Sequence, residues 1–477
     1  MANKFYITTP IYYINDVPHV GHAYTTVAAD VLARYYRGKG EDVFFLTGVD
    51  EHGAKIAEAA SRAGLEPKDF ADRLVPRFQE AWRNLNIEYS EFFRTTDPKH
   101  EEIVKKLILD LKKRGYVEKK KYTGLYCTAC EKFLLSDELK DGKCPDHGTE
   151  PEEHSEENYF FLLSKLANKL LKIIESGEVA VLPQSRKNEV IGKIKSGLED
   201  VSISREKVEW GIPFPGDESQ TIYVWIDALI NYWSATKIYQ VESLKSKVAS
   251  DGIWPPDIHL MAKDILWFHA IIWPAMLLAL DMPLPKKVFA HGFFTVGGQK
   301  MSKTRGNVLD PNKLVEKFGA DAVRYALLRE FPFGEDGDIS EEKIAHRYQS
   351  ELSNGLGNLL QRAISMINKY EVEVESRKSK VESDDKKISN LIEELRFDQA
   401  LQEINGEIAR LNQYIEENKP WELAKKNKDE LVLILTKVYQ ALESLILPLS
   451  IFMPETSEKM KKQLETLEPK PLFPRID

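Results

Sequence analysis

The first fifty residues contain a strand, a helix and a second strand, and this order constrains the fold more than any other feature of the sequence. Residues 4–9 (KFYITT) and 42–47 (DVFFLT) are short apolar runs typical of buried strands. The segment 23–40 between them has apolar residues at helical spacing and ends at glycine. Two strands joined by one helix lie parallel, so the sequence predicts an α/β fold built on a parallel sheet.

Later changes of pattern divide the chain, whose 477 residues are too many for one ordinary core. Residues 115–219 are rich in charge and contain every cysteine, and strand-like runs return at 220–227 and 286–294. From residue 341 helical patterns replace strands, which predicts a C-terminal helical bundle. We expect a sheet domain in two halves (1–114 and 220–295), an inserted domain (115–219), a connecting region (296–349) and an all-α domain (350–477).

The three cysteines form part of one short pattern inside the predicted insertion. Cys127 and Cys130 make a C-x₂-C pair, and Cys144 and His147 make a C-x₂-H pair thirteen residues further on. This spacing is typical of a tetrahedral zinc site, and four protein ligands leave no position for water, so we expect one structural Zn²⁺. Two alternatives stay open: a redox pair at Cys127 and Cys130, which the second pair of ligands disfavours, and structural thiols.

Composition and local charge also bear on compartment and partners. Clustered cysteines cannot make a disulfide framework, which indicates a reducing compartment. Residues 1–13 do not resemble a secretory signal, and the most apolar stretch, 265–280, is shorter than a membrane span, so we expect a cytoplasmic protein with no membrane contact. The net charge of −9 does not indicate nucleic-acid binding by the whole molecule. A basic run at 105–122 fits either a local nucleic-acid contact or a solvated helix face.

Two motifs carry residues suited to phosphate chemistry. PHVGH (18–22) follows the first strand, where open parallel sheets bind ligands and helix N-termini offer free N–H groups. His19 and His22 can donate hydrogen bonds to a phosphate, and Gly21 lets a flat ring approach the backbone. GGQKMSKTRGN (297–307) is a glycine-bracketed loop that can bring Lys300 and Lys303 onto a polyphosphate. Taken singly, the motifs also fit surface histidines and an exposed basic loop.

The order of these two motifs resembles the class I aminoacyl-tRNA synthetases, and the chain resembles the methionine-specific branch of that family over essentially its whole length. The similar segments are TTPIYYINDVPHVGH (8–22), GVDEHG (48–53), YVWIDALINYW (223–233) and MAKDILWFHAIIWP (261–274). Thr304 stands where the family more often has serine and keeps the hydroxyl, whereas Leu229 replaces a frequent proline. The resemblance implies a Rossmann-type catalytic domain, an inserted connective domain with a zinc knuckle, a stem-contact region at 296–349 and an anticodon-binding bundle.

By the same resemblance, the enzyme would use Mg²⁺-ATP to convert L-methionine to methionyl-adenylate and pyrophosphate, then transfer methionine to the 3′ end of tRNA(Met), serving initiation and elongation. His19, His22, Lys300 and Lys303 would stabilise the transition state at the α-phosphate. The implied ATP-binding residues are His19, Gly21, His22, Lys263, Asp264, Lys300, Met301, Ser302 and Lys303.

The resemblance also implies a methionine site. Asp50 would hold the substrate ammonium group, and Arg205 would contact the substrate or its phosphates. Tyr232 and His269 can offer polar hydrogens to the sulfur, a weak acceptor. The implied side-chain pocket is Ile11, Tyr13, Trp225, Ala228, Tyr232, Ile265 and His269, for which plain core packing of the aromatic residues is the alternative.

The helical region contains a polar face that fits RNA recognition. Asn354, Asn358 and Arg362 have the spacing i, i+4 and i+8, opposite a face of leucines, alanine and isoleucine. Trp421 can act as a stacking platform for an exposed base. The resemblance implies that these residues read the CAU anticodon, and the alternatives are a solvated face and a tryptophan packed between helices.

Two rival functions and one structural question stay open at this point. The chain could be a synthetase for another amino acid, such as cysteine or a branched aliphatic one, or a non-catalytic tRNA-binding paralogue. After the helices the sequence has no appended β-barrel of the kind that dimerises some family members. We therefore expect a monomer, or association with a separate tRNA-binding subunit.

Overall fold

The computed structural model describes residues 3–128, 132–134, 139–145, 148–206, 208–244, 252–301, 307–376 and 386–476. The strands are β1 Lys4–Tyr13, β2 Asp42–Asp50, β3 Glu91–Arg94, β4 Val117–Cys127, β5 Lys132–Leu134, β6 Glu152–Phe161, β7 Ala180–Leu182, β8 Val201–Ser202, β9 Ser204–Arg205, β10 Pro213–Phe214, β11 Asp217–Ile222, β12 Ile258–Ala262, β13 Lys287–His291, β14 Phe294–Val296, β15 Gln299–Lys300 and β16 Gly337–Asp338. The helices are α1 Val20–Gly38, α2 Ala54–Arg62, α3 Pro67–Asn84, α4 Pro98–Lys113, α5 Ala167–Ser176, α6 Gln184–Lys195, α7 Val224–Leu244, α8 Trp273–Ala279, α9 Pro311–Phe318, α10 Ala320–Arg329, α11 Glu341–Arg347, α12 Asn358–Lys369, α13 Lys386–Glu393, α14 Phe397–Asn418, α15 Pro420–Lys426, α16 Lys428–Phe452 and α17 Pro454–Thr466. Wider π-helical turns at Phe268–Ile272 and Tyr348–Gly357 lead directly into α8 and α12.

The largest sheet has six strands in the order β3-β2-β1-β12-β13-β7, and each neighbouring pair is parallel. The predicted strand–helix–strand unit is confirmed, since β1 and β2 pair from Lys4↔Asp42 onward with α1 between them. The strand order reverses between β1 and β12, so the chain leaves these two strands toward opposite edges. A sheet of this kind has a crevice at the carboxyl ends of those strands.

Helices cover both faces of this sheet. Alternation along β1 sends Phe5 and Ile7 into one buried cluster and Tyr6 into the other. Side chains of α1 and α3 belong to the first cluster, and side chains of α4, α7 and α8 belong to the second. Because both faces are buried, the strands carry continuous apolar runs, which is the pattern from which they were predicted.

The C-terminal helices share a core with the first face of the sheet. One buried apolar cluster runs from α1 through α10, α12, α14 and α16 to Phe473. A fully buried ion pair lies at this junction, with 2.7 Å between Asp30 Oδ2 of α1 and Arg324 Nη2 of α10. Arg324 also donates to the carbonyl oxygens of Phe452 (2.8 Å) and Leu85 (3.1 Å). These contacts fix α1, which begins beside His19, to the end of α16.

Among the described residues of the predicted insertion, one strand belongs to the large sheet. Residues 115–219 contain a four-stranded antiparallel sheet in the order β5-β4-β6-β8, in which β4 and β6 pair from Val117↔Phe161 to Tyr126↔Glu152. Within the same range, however, β7 pairs in parallel with β13 at the edge of the six-stranded sheet. The proposed domain boundaries stay a prediction.

The basic run at 105–122 makes internal contacts where its side chains are described. Lys119 Nζ lies 2.9 Å from Asp217, and Lys120 Nζ lies 2.9 Å from Asp200. Lys112 Nζ lies 4.9 Å from the centre of the Tyr159 ring. These contacts favour the interpretation of a solvated, ion-paired surface over a surface held ready for nucleic acid.

The strand predicted at 220–227 is wrong in its second half. β11 ends at Ile222 and pairs antiparallel with β9 and β10 in a small sheet, and α7 begins at Val224. Nearly every residue in the N-terminal half of α7 is buried, including the polar Asp227, Asn231 and Ser234, because this half packs between the sheet and other helices. Such a run has no periodicity that separates a helix from a buried strand.

Among the described helices, α16 is long and apolar enough to cross a membrane. In the structure its apolar side chains pack against α1, α12, α14 and α17, and the buried ones include Leu435, Val438 and Leu442. Packing inside the bundle therefore accounts for the buried apolar side chains of α16, whereas Leu433 and Leu447 of the same helix are exposed. The apolar stretch 265–280 is likewise mostly buried, in the helical segment that leads into α8.

We predict that Arg324→Met lowers the free energy of unfolding by about 3–5 kcal/mol, because it removes the fully buried cation paired with the Asp30 carboxylate. Urea denaturation followed by circular dichroism measures this loss. The control is Arg34→Met, which removes a more exposed partner of the same carboxylate. Equal and small losses for both variants would contradict the prediction.

Candidate active site

A cavity of about 420 Å³ opens at the carboxyl ends of β1, β2, β12 and β13. This is the position that the reversal of strand order predicts for a ligand. Of the residues singled out from the sequence, ten line the cavity: Ile11, Tyr13, His19, Gly21, His22, Asp50, Trp225, Asp264, Ile265 and Met301. Residues that are up to 290 positions apart in the chain thus meet at one site.

His19 and His22 cap the N-terminus of α1 in a reciprocal arrangement. His19 Nδ1 accepts from the backbone N–H of Gly21 (3.1 Å), and His22 Nδ1 accepts from the backbone N–H of His19 (3.2 Å). The two rings stack with their centres 3.8 Å apart. Because both Nδ1 atoms are acceptors, the hydrogen of each neutral ring must be on Nε2.

Both histidines are neutral near pH 7. Burial lowers the pKa of His19 to about 4. Burial, together with the neighbouring His19, lowers the pKa of His22 well below its usual value. The pair therefore presents two N–H donors at the N-terminus of α1, where the helix dipole already favours negative charge.

Gly21 is required by the position of the His19 ring. A Cβ atom at residue 21 would lie 2.9 Å from His19 Cε1 and 3.0 Å from His19 Nδ1, closer than such atoms pack. The same Cβ would lie 3.6 Å from Met301 Cε. The flat ring that approaches this glycine in the structure is therefore the imidazole of the motif itself, and Met301 of the second motif lies beside it.

The second motif begins in a hairpin that is partly described. β14 and β15 pair at Thr295↔Lys300, and the turn between them uses Gly297 and Gly298 with φ of 61° and 74°. The backbone N–H of Gly298 donates to Asp338 Oδ1 at 2.8 Å. The side chain of Lys300 and all of Ser302, Lys303 and Thr304 lie outside the described residues.

Asp50, the last residue of β2, is 6% exposed at the cavity wall. Its carbonyl accepts from the backbone N–H of Ile14 (3.1 Å), and its side chain accepts, at 3.5 Å, from the backbone N–H of His52. A contact of this kind, between an aspartate side chain and the backbone N–H two residues later, is called an Asx turn. A carboxylate held in this way at an apolar wall can bind an ammonium group.

Trp225 forms an aromatic wall of the cavity, with its ring stacked on Phe268 at 4.1 Å between centres. Ala228, Tyr232 and His269 are buried and are not among the described residues that line the cavity. The structure therefore does not bring these three residues to the cavity wall, and their predicted contact with the substrate stays a prediction.

The hydrogens expected for the sulfur are engaged within this buried group. His269 Nδ1 lies 2.9 Å from the carbonyl oxygen of Ile265, which can only accept, so Nδ1 carries the hydrogen. Burial lowers the pKa of His269 to about 4, so its Nε2 is an acceptor. The Tyr232 hydroxyl, 2.7 Å from that Nε2, therefore donates to His269 in this structure.

Two of the other predicted residues differ in their relation to the cavity. Asp264 lies in a turn after β12, lines the cavity and is exposed. The neighbouring Lys263 points to Asp336, with Nζ 2.7 Å and 2.5 Å from the two carboxylate oxygens. Its ammonium group is therefore neutralised by an acidic residue next to the site.

Arg205 lies in a small neighbouring cavity, which His52, Trp210 and Tyr223 also line. Its guanidinium group donates to the carbonyl oxygen of Ser204 (2.8 Å) and lies 4.0 Å from the centre of the Tyr223 ring. It is buried, and it is not among the residues that line the larger cavity.

Several polar residues of the cavity lining were not predicted from the sequence, among them Thr25, Lys55 and His291. His291 and Gly292, at the end of β13, line the cavity together with Thr25. His291 Nδ1 donates to the Gly292 carbonyl (2.7 Å) and its Nε2 accepts from Thr25 Oγ1 (2.6 Å), while burial lowers the pKa of His291 to about 4. A Cβ atom at Gly292 would lie 2.1 Å from the Glu335 carbonyl oxygen. The signal was present, since His-Gly interrupts the apolar run 286–294, which was predicted as a strand.

The predicted zinc ligands are only partly described. Cys127 and Cys144 are both buried and share a small apolar cluster with Leu134. The Cys144 carbonyl accepts from the backbone N–H of Gly148 (2.7 Å), and the Cys144 N–H donates to the Thr149 carbonyl (2.8 Å). Cys130 and His147 lie outside the described residues. Among the described residues, no three or more His, Cys, Asp or Glu side chains are grouped so that they could hold a metal ion, and the zinc site stays a prediction.

The polar face predicted in the helical region is on the surface. Asn354 and Asn358 are exposed, and Arg362 is half-buried with Nη2 2.6 Å from Glu416 Oε1. Trp421, in the first turn of α15, is 38% exposed. The apolar residues assigned to the opposite face are buried: Leu352, Leu356, Leu359, Leu360, Ala363 and Ile367.

Comparison with family models gives two matches. The model described as tRNA synthetases class I (M) matches residues 5–150 and 134–364. The model described as the anticodon-binding domain of tRNA ligase matches residues 377–472.

Individual relatives and structures agree with these matches. The chain is 47% identical over 481 residues to a methionine–tRNA ligase of Caldanaerobacter subterraneus subsp. tengcongensis, covering 98% of this chain and 75% of that protein. It is 44% identical over 484 residues to the methionine–tRNA ligase of Thermotoga maritima, covering 98% and 76%. The structure superposes on Mycobacterium tuberculosis methionyl-tRNA synthetase in complex with methionyl-adenylate with a TM-score of 0.89 and 35% identity, over 99% of this chain and 100% of that chain.

We predict that His19 titrates with a pKa of about 4 and that both motif histidines carry hydrogen on Nε2 at neutral pH. Imidazole ¹⁵N NMR measures both properties. Gly21→Ala is expected to displace the His19 ring and change its Nδ1 shift, because the new methyl group overlaps that ring. His291, in the same cavity, is the internal control and keeps its shifts. A His19 pKa near 6.5, or a His19 signal that Gly21→Ala leaves in place, would contradict the prediction.

Proposed function

This chain belongs to the methionine-specific class I tRNA synthetases, and we propose that the cavity at the carboxyl ends of β1 and β12 is where it performs that family's reaction. The chain is an aminoacyl-tRNA ligase that activates methionine and charges tRNA. Enzymes of this class use ATP with Mg²⁺. The observation that carries the proposed location is the pair of neutral imidazoles at the N-terminus of α1, which line the cavity together with Asp50 and Met301.

The reaction has two steps, and neither needs a covalent nucleophile from the protein. In the first, a carboxylate oxygen of methionine attacks the α-phosphorus of ATP in line, and the bond to pyrophosphate breaks. In the second, a ribose hydroxyl at the 3′ end of tRNA(Met) attacks the carbonyl carbon of the adenylate and releases AMP. Such chemistry depends on positioning and on stabilisation of developing charge.

We assign that stabilisation to both motifs. His19 and His22 would donate hydrogen bonds to the α-phosphate through Nε2–H. Because both rings are neutral, they bring no positive charge to the site before negative charge develops on the phosphate in the transition state. Lys300 and Lys303 would supply the positive charge from a loop whose Met301 already reaches the cavity. Ser302 and Met301 would line the same nucleotide subsite.

The methionine subsite is proposed at the opposite end of the crevice. Asp50 would bind the ammonium group, and a mostly apolar wall of Ile11, Tyr13, Trp225 and Ile265 would hold the thioether, which is apolar and polarizable. Ala228, Tyr232 and His269 would support this wall from behind. For the Tyr232 hydroxyl to reach the sulfur, it must exchange the hydrogen bond to His269 for one to the substrate.

The adenosine part of ATP is assigned to the remaining wall. Asp264 offers an exposed carboxylate to the ribose, and the Thr25–His291 pair and Gly292 line the other side. We propose that Lys263 acts on the nucleotide only if it leaves Asp336. Arg205 would act on the substrate or its phosphates from the neighbouring cavity.

We propose that the helical bundle reads the anticodon of tRNA(Met). Exposed amide groups of Asn354 and Asn358, the guanidinium of Arg362 and the half-exposed Trp421 provide hydrogen bonds and stacking for unpaired bases. The match of residues 377–472 to an anticodon-binding domain supports this assignment. A cytoplasmic monomer, or one associated with a separate tRNA-binding subunit, fits the same function.

Zinc is proposed as a structural ion bound by Cys127, Cys130, Cys144 and His147. The two described thiols are 1% exposed and share one small apolar cluster, which fits a closed site without water. The ion would supply folding free energy to the insertion and no chemistry to the reaction.

The function is tested by ATP–pyrophosphate exchange with each amino acid in turn. We expect exchange with methionine alone, and Asp50→Asn should raise the KM for methionine about 100-fold, because it removes one partner of a desolvated charge pair. The control is Asp16→Asn, the same change at an exposed aspartate outside the cavity lining. Exchange with cysteine or a branched aliphatic amino acid, or no exchange at all, would overturn the proposal.

Metal content tests the zinc proposal independently of activity. We expect one zinc per chain by native mass spectrometry, and its loss in Cys144→Ser, since three remaining ligands bind less tightly. Chelation should also speed hydrogen exchange in β4 and β6, which lie next to the proposed site. His346→Ala, at an exposed histidine of α11, is the control and should keep the zinc. Metal-free protein with unchanged exchange in both strands would contradict a structural ion.

A further inference from the structure

The turn from Asp50 to Gly53 is held by several contacts that have no part in the proposed chemistry. The Trp210 ring N–H donates to the Glu51 carbonyl (2.5 Å), and the Gly53 N–H donates to the Trp210 carbonyl (2.9 Å). The Glu51 side chain is fully buried and binds Arg94 at 2.6 Å. Each residue after Asp50 in this turn therefore has a partner that fixes its place.

His52 has the most buried of these partners. Its Nδ1 lies 2.7 Å from Asp227 Oδ2, and the other oxygen of Asp227 lies 2.6 Å from His100 Nε2. His100 Nδ1 in turn lies 2.6 Å from the Ser234 hydroxyl. His52 is 4% exposed, Asp227 1%, and His100 and Ser234 0%, so this chain of polar groups lies inside the protein.

The charges in this cluster support each other. Burial by itself disfavours the charged form of His52, but Asp227, with Glu101 and Glu51, outweighs it and raises the pKa of His52. Burial likewise disfavours the Asp227 carboxylate, yet His52 and His100 lower the pKa of Asp227. Removing Asp227 would leave His52 and His100 buried without their shared partner, and removing His52 would leave the buried carboxylate with His100 alone.

The location of Asp227 links two walls of the cavity. Asp227 lies in the first turn of α7, two residues after Trp225, whose ring lines the cavity. His52 lies two residues after Asp50, and its backbone N–H is the donor of the Asx turn at the Asp50 carboxylate. The His52–Asp227 bond therefore ties the wall that would bind the ammonium group to the wall that would hold the side chain.

We propose that His52 and Asp227 are positioning residues for methionine: their hydrogen bond fixes the backbone turn that directs the Asp50 carboxylate at the substrate ammonium group. This inference rests on the role proposed above for Asp50. Neither residue touches the substrate. Their effect is on the affinity for ligands that carry the ammonium group, and the nucleotide subsite at the other end of the crevice is unaffected.

The test compares two ligands of this enzyme: methioninol, which keeps the ammonium group, and the corresponding thioether alcohol that lacks the amino group. His52→Leu removes the side-chain donor and should weaken methioninol binding by about tenfold or more, as expected for a lost hydrogen bond to a charged group. Binding of the amino-free alcohol and the KM for ATP should stay unchanged. His52→Asn keeps an N–H donor close to the place of Nδ1 and should restore methioninol binding.

Asp227→Asn should also weaken methioninol binding. The two changes together should lower the affinity little more than either alone, because both act through the His52–Asp227 hydrogen bond. Asp321→Asn, the same change at a buried carboxylate of α10, is the control, and should lower stability without changing methioninol binding. If Asp227→Asn fails to fold, the two His52 variants decide the outcome.

Three results would contradict either the proposed role of Asp50 or the positioning role of His52 and Asp227. Equal loss of affinity for both ligands in His52→Leu would show a merely structural role. Unchanged methioninol binding in Asp50→Asn would overturn the proposed function of Asp50, on which the inference rests. Weakened binding in Asp50→Asn together with unchanged binding in His52→Leu would overturn the inference alone.

Discussion

The buried ion pair between Asp30 and Arg324 is the contact on which the arrangement of the whole molecule depends. Both side chains are fully buried, and such charges persist only when every partner is in place. The Arg324 guanidinium reaches the Asp30 carboxylate on α1 and carbonyl oxygens at Leu85 and Phe452, so one side chain joins the sheet domain to the end of α16. The helix that presents His19 and His22 is therefore oriented by the C-terminal bundle as much as by the sheet beneath it.

The site combines the crevice that forms at the carboxyl ends of parallel strands with the hydrogen-bond donors at the N-terminus of α1. The reversal of strand order between β1 and β12 opens the crevice, and the N-terminus of α1 directs its N–H groups and dipole there. The reciprocal cap then decides the state of the two imidazoles, because each ring accepts a backbone N–H through Nδ1 and must keep its hydrogen on Nε2. Gly21 allows this cap by leaving room for the His19 ring.

Around this centre, buried polar groups place residues that the substrate would meet. The Asp227 cluster holds the turn after β2, and the bonds of His269 to Tyr232 and to the Ile265 carbonyl hold a part of the cavity wall. Both sets use hydrogen bonds in an apolar interior, where an unpaired polar group costs about 1–3 kcal/mol and alternative arrangements are therefore disfavoured. Because a buried hydroxyl needs a hydrogen-bond partner, the Tyr232 hydroxyl can leave His269 only if a ligand atom takes the place of His269 as its acceptor.

The sequence alone was enough to predict the parallel sheet and the helical C-terminal region, because both follow from local periodicity. It was also enough for the two motifs and the family, because these follow from short patterns of residue types. The pattern could not tell that the run after Ile222 is a helix, since a segment buried on all sides has no periodicity. It also could not show that β7 completes the sheet, that Tyr232 donates to His269, or that Asp227 meets His52. These outcomes join residues 37 to 175 positions apart, and β7 and β13 are separated by more than 100. Only the tertiary structure decides which of these distant polar groups form a hydrogen bond. Such a bond depends on the distance between the groups and on their burial, and neither follows from the local sequence.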